Sequence, residues 1–198
     1  MRFLSVLFVC FFLLSCQKAP YGEIPASGTI LAFGDSLTYG YNVEKEHSYP
    51  AVLAALSGRK VVNAGVSGEV TADGLKRLTK LLDENRYDFL ILLEGGNDIL
   101  RNLPRQQTRD NLAAMIELAR QHGLPVLLIA VPEKSLLARP APFYQELSDT
   151  HAVPLMDSLI GSLLKKTQYK SDSVHFNEAG YREMAKDIHS TLKKLGAL

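Results

Sequence analysis

Three side chains in this sequence can together carry out nucleophilic catalysis: Ser36, Asp172 and His175. A serine hydroxyl is a poor nucleophile at neutral pH unless a base removes its proton, and an imidazole acts as that base when an acceptor holds it in the correct tautomer. Asp172 stands three residues before His175, so its carboxylate can reach the near ring nitrogen while the far nitrogen faces the serine. We therefore expect a Ser-His-Asp triad that transfers acyl groups.

Acyl transfer also needs hydrogen-bond donors directed at the oxygen that becomes negative in the tetrahedral intermediate. The side-chain amide of Asn97 and the backbone N–H groups of Gly68 and Ser36 can supply them. Glycines at positions 68, 95 and 96 keep the surrounding loops open to a substrate that approaches closely. We expect Ser36, Gly68 and Asn97 to form the oxyanion hole.

Four acidic residues stand close to these positions in the sequence: Asp35, Glu69, Glu94 and Asp98. Two-carboxylate chemistry of the glycosidase kind needs a specified pair across a sugar cleft, and nothing in the sequence specifies one. We expect Asp35 and Asp98 to have structural roles in their loops. For Glu69 and Glu94 we expect positions that face solvent or brace a loop.

The sequence predicts no metal site and no cofactor. Apart from His175, none of the histidines has metal-ligand spacing to another His, a Cys or a group of carboxylates. These other histidines are His47, His122, His151 and His189.

Short apolar runs recur along the chain and predict the strands that must position this chemistry. Runs that are apolar at consecutive positions are typical of strands buried on both faces, as in a parallel sheet covered by helices. The runs are Thr29–Phe33, Val61–Val62, Phe89–Leu93, Val126–Val131 and the shorter Pro154–Met156.

Helical patterns with recognisable ends lie between these runs. Ser48 and Pro50 begin one helix and Gly58 ends it, Thr108 opens another, and Asn177 caps the last. Further apolar positions at helical spacing predict the buried faces; they are Leu75, Leu78, Leu82, Leu112, Met115, Ile116, Ala119, Met184, Ile188 and Leu192.

Alternation of strands and helices predicts an α/β domain of three layers with a mainly parallel sheet. In such folds the ligand crevice lies at the carboxyl ends of the strands. Ser36, Gly68 and Asn97 each lie in the segment that follows one of the first three strands, while Asp172 and His175 stand just before the final helix. The fold class and the candidate chemistry therefore point to the same edge of the sheet.

The first residues have a separate role. Residues 1–15 contain a charge-free apolar run from Phe3 to Leu14, which is too short to span a bilayer but suits a secretory signal peptide. Leu13 to Cys16 resembles the bacterial lipobox, so we expect lipidation at Cys16, the alternative being an ordinary signal cleaved elsewhere. Residues 16–27 are interpreted as the lipidated cysteine and a tether, and residues 28–198 as a single catalytic domain. This organisation predicts an exported bacterial lipoprotein, anchored on the periplasmic side of a membrane or on the cell surface.

The charge balance excludes one class of partner. Loss of Arg2 with the signal leaves 21 basic residues against 21 acidic ones, so there is no electrostatic case for binding nucleic acid. We expect a monomer that acts on a small-molecule or lipid ester.

The segments around Ser36, Gly68, Asn97 and the Asp172–His175 pair resemble, in order, the four signature blocks of the SGNH, or GDSL, hydrolase family. Within it, the stretch from Gly95 to Arg101 is most similar to the bacterial thioesterase I, arylesterase and lysophospholipase L1 group. The resemblance implies a flavodoxin-like sheet of five strands, no metal, and hydrolysis of esters and thioesters through the residues named above. A proline commonly follows the histidine in this family, whereas this chain has Phe176.

Alternatives remain open at this level. The α/β-hydrolases place their serine in G-x-S-x-G, a motif that is absent around Ser36. An O-acetylesterase acting on cell-envelope carbohydrate would keep the same machinery, and a non-catalytic surface lipoprotein would keep only the fold. The segment Leu136–Tyr144, with Pro140 and Pro142, is either a rim of the pocket or a proline-rich approach to a helix.

Overall fold

The computed structural model describes residues 21–134 and 137–198. Its centre is a parallel sheet of five strands in the order β2-β1-β3-β4-β5. The strands are β1 (Thr29–Gly34), β2 (Lys60–Gly65), β3 (Phe89–Leu93), β4 (Val126–Ile129) and β5 (Leu155–Met156). The predicted α/β class, the parallel sheet and its five strands are thus confirmed.

Burial along the strands follows their position in the sheet. All residues of β3 and β4, and all of β1 except Thr29, are buried, which fits their continuous apolar sequences. The expectation of burial on both faces is wrong for β2, whose residues are half-buried or exposed. β2 is an edge strand with a single neighbour, so it tolerates polar residues, and pairing with β1 extends it well beyond Val61 and Val62.

Eight α-helices of the described residues accompany the sheet. They are α1 (Ser36–Tyr39), α2 (Tyr49–Ser57), α3 (Thr71–Glu84), α4 (Gly96–Leu100), α5 (Arg105–Gln121), α6 (Phe143–His151), α7 (Leu159–Leu164) and α8 (Glu178–Lys194). Two short 3₁₀ turns lie at Lys45–His47 and Thr167–Tyr169. α2 and α7 pack against α8, while α3 and α6 pack against α5.

The strand order creates a crevice at the centre of the sheet. The chain moves from β1 outward to β2 and then returns across β1 to β3. Because parallel crossovers are right-handed, these opposite directions put α2 and α3 on opposite faces of the sheet. The loops that leave β1 and β3 diverge at this switch point, which is where ligands bind in flavodoxin-like sheets.

Two helix ends follow the predicted signals, and one does not. Gly58, in the left-handed region at φ 66°, ends α2, and the side chain of Asn177 accepts a hydrogen bond from the Gly180 N–H at the start of α8. The prediction that Thr108 opens a helix is wrong, because α5 begins at Arg105. Pro104 holds the backbone at φ −57° just before that helix, and Thr108 is buried within its first turn.

The polypeptide packs onto the domain earlier than expected. Ile24 is only 2% exposed, and its N–H donates to the carbonyl of Ala197 at 2.9 Å. The end of the segment interpreted as a tether therefore belongs to the folded part, which includes Ile24 and does not first begin near Thr29. The predicted signal peptide and Cys16 lie outside the described residues. No helix within residues 21–134 and 137–198 is long and apolar enough to cross a membrane.

The segment Leu136–Tyr144 combines both alternatives left open by the sequence. Leu136 lies outside the described residues, whereas Ala138 lines the cleft described below. Pro140 forms an isolated antiparallel bridge with Pro132, and Phe143 and Tyr144 begin α6 as buried residues. The segment is therefore a rim of the cleft at one end and the approach to a helix at the other.

Asn177 gives a test of how the last helix is held. Its Oδ1 caps α8, while its Nδ2 donates to the carbonyls of Gln168 and Lys170 at 2.9 and 3.3 Å. We expect Asn177→Ala to lower the free energy of unfolding by about 1–2 kcal/mol, since it removes a cap and two further hydrogen bonds. Urea denaturation followed by circular dichroism measures the change.

Ser158→Ala is the matched control, because Ser158 precedes α7 without a side-chain capping bond and is exposed. It should change the free energy of unfolding by less than about 0.5 kcal/mol. Equal losses in the two variants would contradict the assigned role of Asn177.

Candidate active site

Ser36 lies at the first position of α1, directly after the central strand β1. Asp35 caps this helix by accepting a hydrogen bond from the Leu37 N–H at 3.0 Å, and Ser36 itself is 9% exposed. A side chain at Gly34 would collide with the carbonyl of Leu93 on the neighbouring strand and with the Thr38 hydroxyl. The glycine thus lets the chain turn tightly out of the sheet and present the serine at its carboxyl edge.

The three residues predicted as a triad lie together in one chain of hydrogen bonds. The Oγ of Ser36 is 3.0 Å from Nε2 of His175. On the other side of the ring, Nδ1 of His175 is 2.8 Å from Oδ2 of Asp172. The other carboxylate oxygen, Oδ1, accepts the N–H groups of Val174 and His175, both at 2.8 Å. The hydroxyl and the carboxylate therefore occupy opposite nitrogens of one imidazole.

Asp172 is held as a carboxylate. Partial burial opposes its charge, but the N–H of Val174, the His175 ring and the N–H of His175 outweigh that effect and lower the pKa of Asp172 to about 2. An ionised Asp172 accepts the Nδ1–H of a neutral His175, which leaves Nε2 without a proton and directed at Ser36. This is the arrangement that a general base requires.

Two residues that the sequence did not single out support the imidazole. The ring of Tyr41 lies against that of His175, with centroids 4.5 Å apart, and Nδ2 of Asn42 donates to Oδ2 of Asp172 at 3.2 Å. Tyr181 on α8 holds this loop by donating to the Tyr41 carbonyl at 3.1 Å. Asn42 has a positive φ of 71°, which asparagine tolerates better than most residues. That preference is the one local signal that marks the position.

The predicted oxyanion donors line the same cleft as Ser36 and His175. Gly68 lies in the left-handed region at φ 80°, and its carbonyl accepts a hydrogen bond of 2.7 Å from the Arg101 guanidinium. Among the described residues, no group accepts a hydrogen bond from the backbone N–H of Ser36 or of Gly68. Both donors therefore remain available to a ligand.

Asn97 is positioned by the turn that follows β3. Gly95, at φ 104°, caps α4, and Nδ2 of Asn97 lies 3.4 Å from Oδ2 of Asp35. A Cβ at Gly96 would stand 2.8 Å from that same oxygen, so a side chain there would displace Asp35. Asp35 thus braces both loops at the switch point, in agreement with the structural role predicted for it. Burial raises the pKa of Asp35 to about 6, against the opposing effects of the Leu37 N–H and of His175.

The cleft in front of Ser36 has a volume of about 770 Å³. Much of its wall is apolar, and this part is made by Leu37, Tyr41, Ile99, Leu100, Val131, Pro132, Ala138, Ile160, Leu164 and Val174. Polar groups converge at the end where Ser36, His175 and Asn97 lie. A mainly apolar cavity with a few convergent polar groups is the usual form of a small-molecule site.

The other acidic residues near the site are structural. Asp98 is buried and accepts hydrogen bonds from the backbone and the hydroxyl of Thr71 at 2.9 and 2.6 Å. Glu69 pairs with Arg77, whose Nε lies 2.8 Å from its Oε1. The guanidinium of Arg77 also covers the ring of Phe33 at 4.0 Å from its centroid. These contacts fix the segment after β2 to the central strand.

Glu94 is completely buried beneath the turn that leads to Asn97. Its Oε1 and Oε2 of Glu69 both face Gly74, each 3.4 Å from where a Cβ of that residue would stand. Burial, together with the nearby carboxylates of Asp35 and Glu69, raises the pKa of Glu94 well above its usual value. At neutral pH Glu94 is therefore protonated, and the proton lets it donate to Glu69.

No group of three or more His, Cys, Asp or Glu side chains suited to a metal ion occurs in the part of the chain that the structure describes. The expectation of a metal-free and cofactor-free site remains a prediction.

The family of the chain follows from comparison with known proteins. The profile of the GDSL-like lipase/acylhydrolase family matches residues 32–183, which include all five predicted site residues. The chain belongs to this family. Its members hydrolyse ester bonds, so the prediction of an ester-hydrolysing enzyme is confirmed.

Individual relatives agree with this membership. An arylesterase of Vibrio mimicus is 33% identical over 181 residues, covering 86% of each chain. The thioesterase 1/protease 1/lysophospholipase L1 of Escherichia coli K12 is 30% identical over 160 residues, covering 77% of each chain. An uncharacterized lipoprotein of Bacillus subtilis is 30% identical over 148 residues, which are 67% of this chain and 58% of that protein.

Solved structures show the same fold. The crystal structure of AlinE4, a SGNH-hydrolase family esterase, superposes with a TM-score of 0.68 at 30% identity and covers 87% of this chain and 98% of its own. The crystal structure of TesA gives a TM-score of 0.74 at 27% identity, covering 84% and 99%. The flavodoxin-like sheet implied by the family resemblance is therefore confirmed.

The buried acid of Glu94 predicts a pH-dependent stability. Between its usual pKa of 4.5 and its raised pKa in the folded state, the folded protein binds a proton that the unfolded chain releases. The contribution of Glu94 to stability therefore falls as pH rises above about 4.5. We expect Glu94→Gln, which resembles the protonated acid, to gain stability relative to the natural protein between pH 4.5 and 8. Urea unfolding across this range measures the difference.

Glu46→Gln is the control, because Glu46 is exposed in the 3₁₀ turn before α2. Its stability difference from the natural protein should stay constant over the same pH range. A flat difference for Glu94→Gln as well would show that Glu94 is ionised in the folded protein.

Proposed function

We propose that this protein is a serine esterase that uses Ser36, His175 and Asp172 as a triad and passes through an acyl-enzyme. The observation that carries the proposal is the continuous hydrogen-bonded chain from Ser36 Oγ through the imidazole to Asp172, with lengths of 3.0 and 2.8 Å. The alternative of a non-catalytic surface lipoprotein gives no reason for these three groups to be aligned at the end of an open cleft.

The first half of the reaction forms the acyl-enzyme. Ser36 Oγ attacks the carbonyl carbon of the ester or thioester while its proton passes to Nε2 of His175. The carbonyl oxygen becomes negative and accepts hydrogen bonds from the N–H groups of Ser36 and Gly68 and from the amide of Asn97. The intermediate then collapses, the bond to the leaving group breaks, and His175 returns the proton to the leaving oxygen or sulfur.

The second half of the reaction releases the acid. A water molecule gives a proton to His175 and attacks the acyl carbon, and collapse of the second intermediate returns the proton to Ser36 Oγ. The carboxylic acid leaves and the free serine is restored. Throughout both halves the Asp172 carboxylate orients the ring and stabilises its positive charge when Nε2 is protonated.

The shape of the cleft bears on the acyl group. An acetyl group alone would leave most of the apolar wall unfilled, so the cleft favours a longer acyl chain over the O-acetyl groups of envelope carbohydrate. The esterase and thioesterase names of the relatives support the same class of substrate.

Ser36→Ala tests the triad. Since the variant lacks the nucleophile, we expect kcat for p-nitrophenyl butyrate to fall by roughly 10⁴-fold or more with the melting temperature preserved. A fluorophosphonate serine probe should label the natural protein and not the variant. The exposed Ser162→Ala on α7 is the control and should keep both activity and labelling. Undiminished hydrolysis by a folded Ser36→Ala protein would refute the assignment, as would absence of labelling in the natural protein.

We also propose that the protein is an exported lipoprotein anchored through Cys16. The support is the Leu13–Cys16 segment and the resemblance to the Bacillus subtilis lipoprotein. Expressed in a bacterium with metabolic palmitate labelling, the natural chain should incorporate label and partition into Triton X-114. Cys16→Ala should abolish both, because it removes the acceptor thiol, whereas Cys10→Ala should change neither. Labelling that survives in Cys16→Ala would contradict the anchor.

A further inference from the structure

One side of the cleft carries positive charge that the proposed mechanism does not use. Lys134, Lys165 and Lys170 all line the cleft. Lys134 donates to Oδ1 of Asn102 at 3.0 Å. Lys165 is exposed and Lys170 half-buried, and within residues 21–134 and 137–198 neither forms an ion pair with a carboxylate.

The acidic groups of the cleft do not neutralise these two lysines. Asp35 is buried at the base, where it caps α1. Glu133 lies 2.8 Å from the guanidinium of Arg105, and Asp172, beside the cleft, is engaged with His175. The cleft therefore combines an apolar wall with two cations that are available to a ligand.

The two lysines lie on the same side of the cleft as His175. Lys170 pairs with Phe176, the residue after His175, in an isolated antiparallel bridge, and the N–H of Ser171 donates to the His175 carbonyl at 3.1 Å. Lys165 directly follows α7, and Ile160 and Leu164 of that helix also line the cleft.

This placement distinguishes the two halves of a substrate. In the proposed mechanism His175 must protonate the leaving oxygen or sulfur, so the leaving group has to lie beside its imidazole. Lys165 and Lys170 therefore face the leaving group rather than the distal end of the acyl chain. An ammonium group in a partly apolar cleft is best satisfied by a negatively charged oxygen.

We propose that Lys165 and Lys170 bind an anionic group, such as a phosphate, carried by the leaving group of the ester or thioester. The inference rests on the proposed function, whose triad places the leaving group. It makes the two lysines determinants of specificity, acting on substrates that join an uncharged acyl chain to a negatively charged alcohol or thiol.

A matched pair of substrates tests this assignment. The butyrate esters of 4-hydroxybenzenesulfonate and 4-hydroxybenzenesulfonamide have leaving groups of nearly equal size, but only the first is anionic. We expect the natural protein to prefer the sulfonate, and the double variant Lys165→Gln, Lys170→Gln to lower the ratio of the two kcat/KM values about tenfold. Added salt should lower the same ratio in the natural protein, because it screens exposed charges.

Lys166→Gln is the matched control. Lys166 is the exposed neighbour of Lys165, and its ammonium lies over the ring of Tyr169, 5.5 Å from the centroid. This variant should keep the ratio of the natural protein. An equal ratio in the natural protein and the double variant, with both esters still hydrolysed, would overturn the lysine assignment alone. Hydrolysis that persists in Ser36→Ala would instead overturn the proposed function.

Two further substrates separate the sources of such a charge. One is a short-chain acyl glycerol phosphate free in solution, and the other is lysophosphatidylglycerol in detergent micelles. A lower kcat/KM of the double variant on the first assigns the lysines to a soluble phosphate ester. A loss confined to the second assigns them to a lipid headgroup. No loss on either substrate would count against the proposal.

Discussion

The hydrogen bond between Ser36 and His175 is the contact on which the rest of the site depends, because it joins residues 139 positions apart over 3.0 Å. Neither residue can make it alone. Ser36 is fixed by a tight turn at the end of a buried central strand, and His175 stands on a loop held by the cap of α8 and by its pairing with Asp172. A rigid sheet and a well-anchored final helix are therefore conditions for the proposed chemistry, since small displacements of a nucleophile from its base are costly in rate.

The sheet order explains why the remaining groups converge. The loops after β1 and β3 separate at the switch point, and Asp35 spans the gap by capping α1 and contacting Asn97. Below them lies a buried set of carboxyl groups that is tolerable only because each has a counterpart. Arg77 neutralises Glu69, Thr71 donates to Asp98, and Glu94 carries a proton. Burial of a polar group without such partners would cost more free energy than a loop of this size provides.

The cleft joins the two proposals in one surface. Its apolar wall suits an acyl chain, the polar end suits the ester carbonyl, and the lysines beside His175 suit a charged leaving group. The family and the fold account for the first two features, which relatives named as arylesterase and thioesterase would share. The lysines are a property of this chain's own sequence around α7 and the 3₁₀ turn that follows it.

The sequence by itself determined the chemistry and the fold class. Local rules govern both: the apolar runs are continuous, Asn177 and Gly58 mark helix ends, and each candidate group stands directly after a strand or before the last helix. Only the tertiary structure decided the rest. The edge position of β2, the packing of Ile24, the support of His175 by Tyr41 and Asn42, and the protonation of Glu94 all depend on neighbours distant in the chain. The same holds for the start of α5 relative to buried Thr108. Burial and long-range contacts set the energies of these features, and no short stretch of residues encodes them.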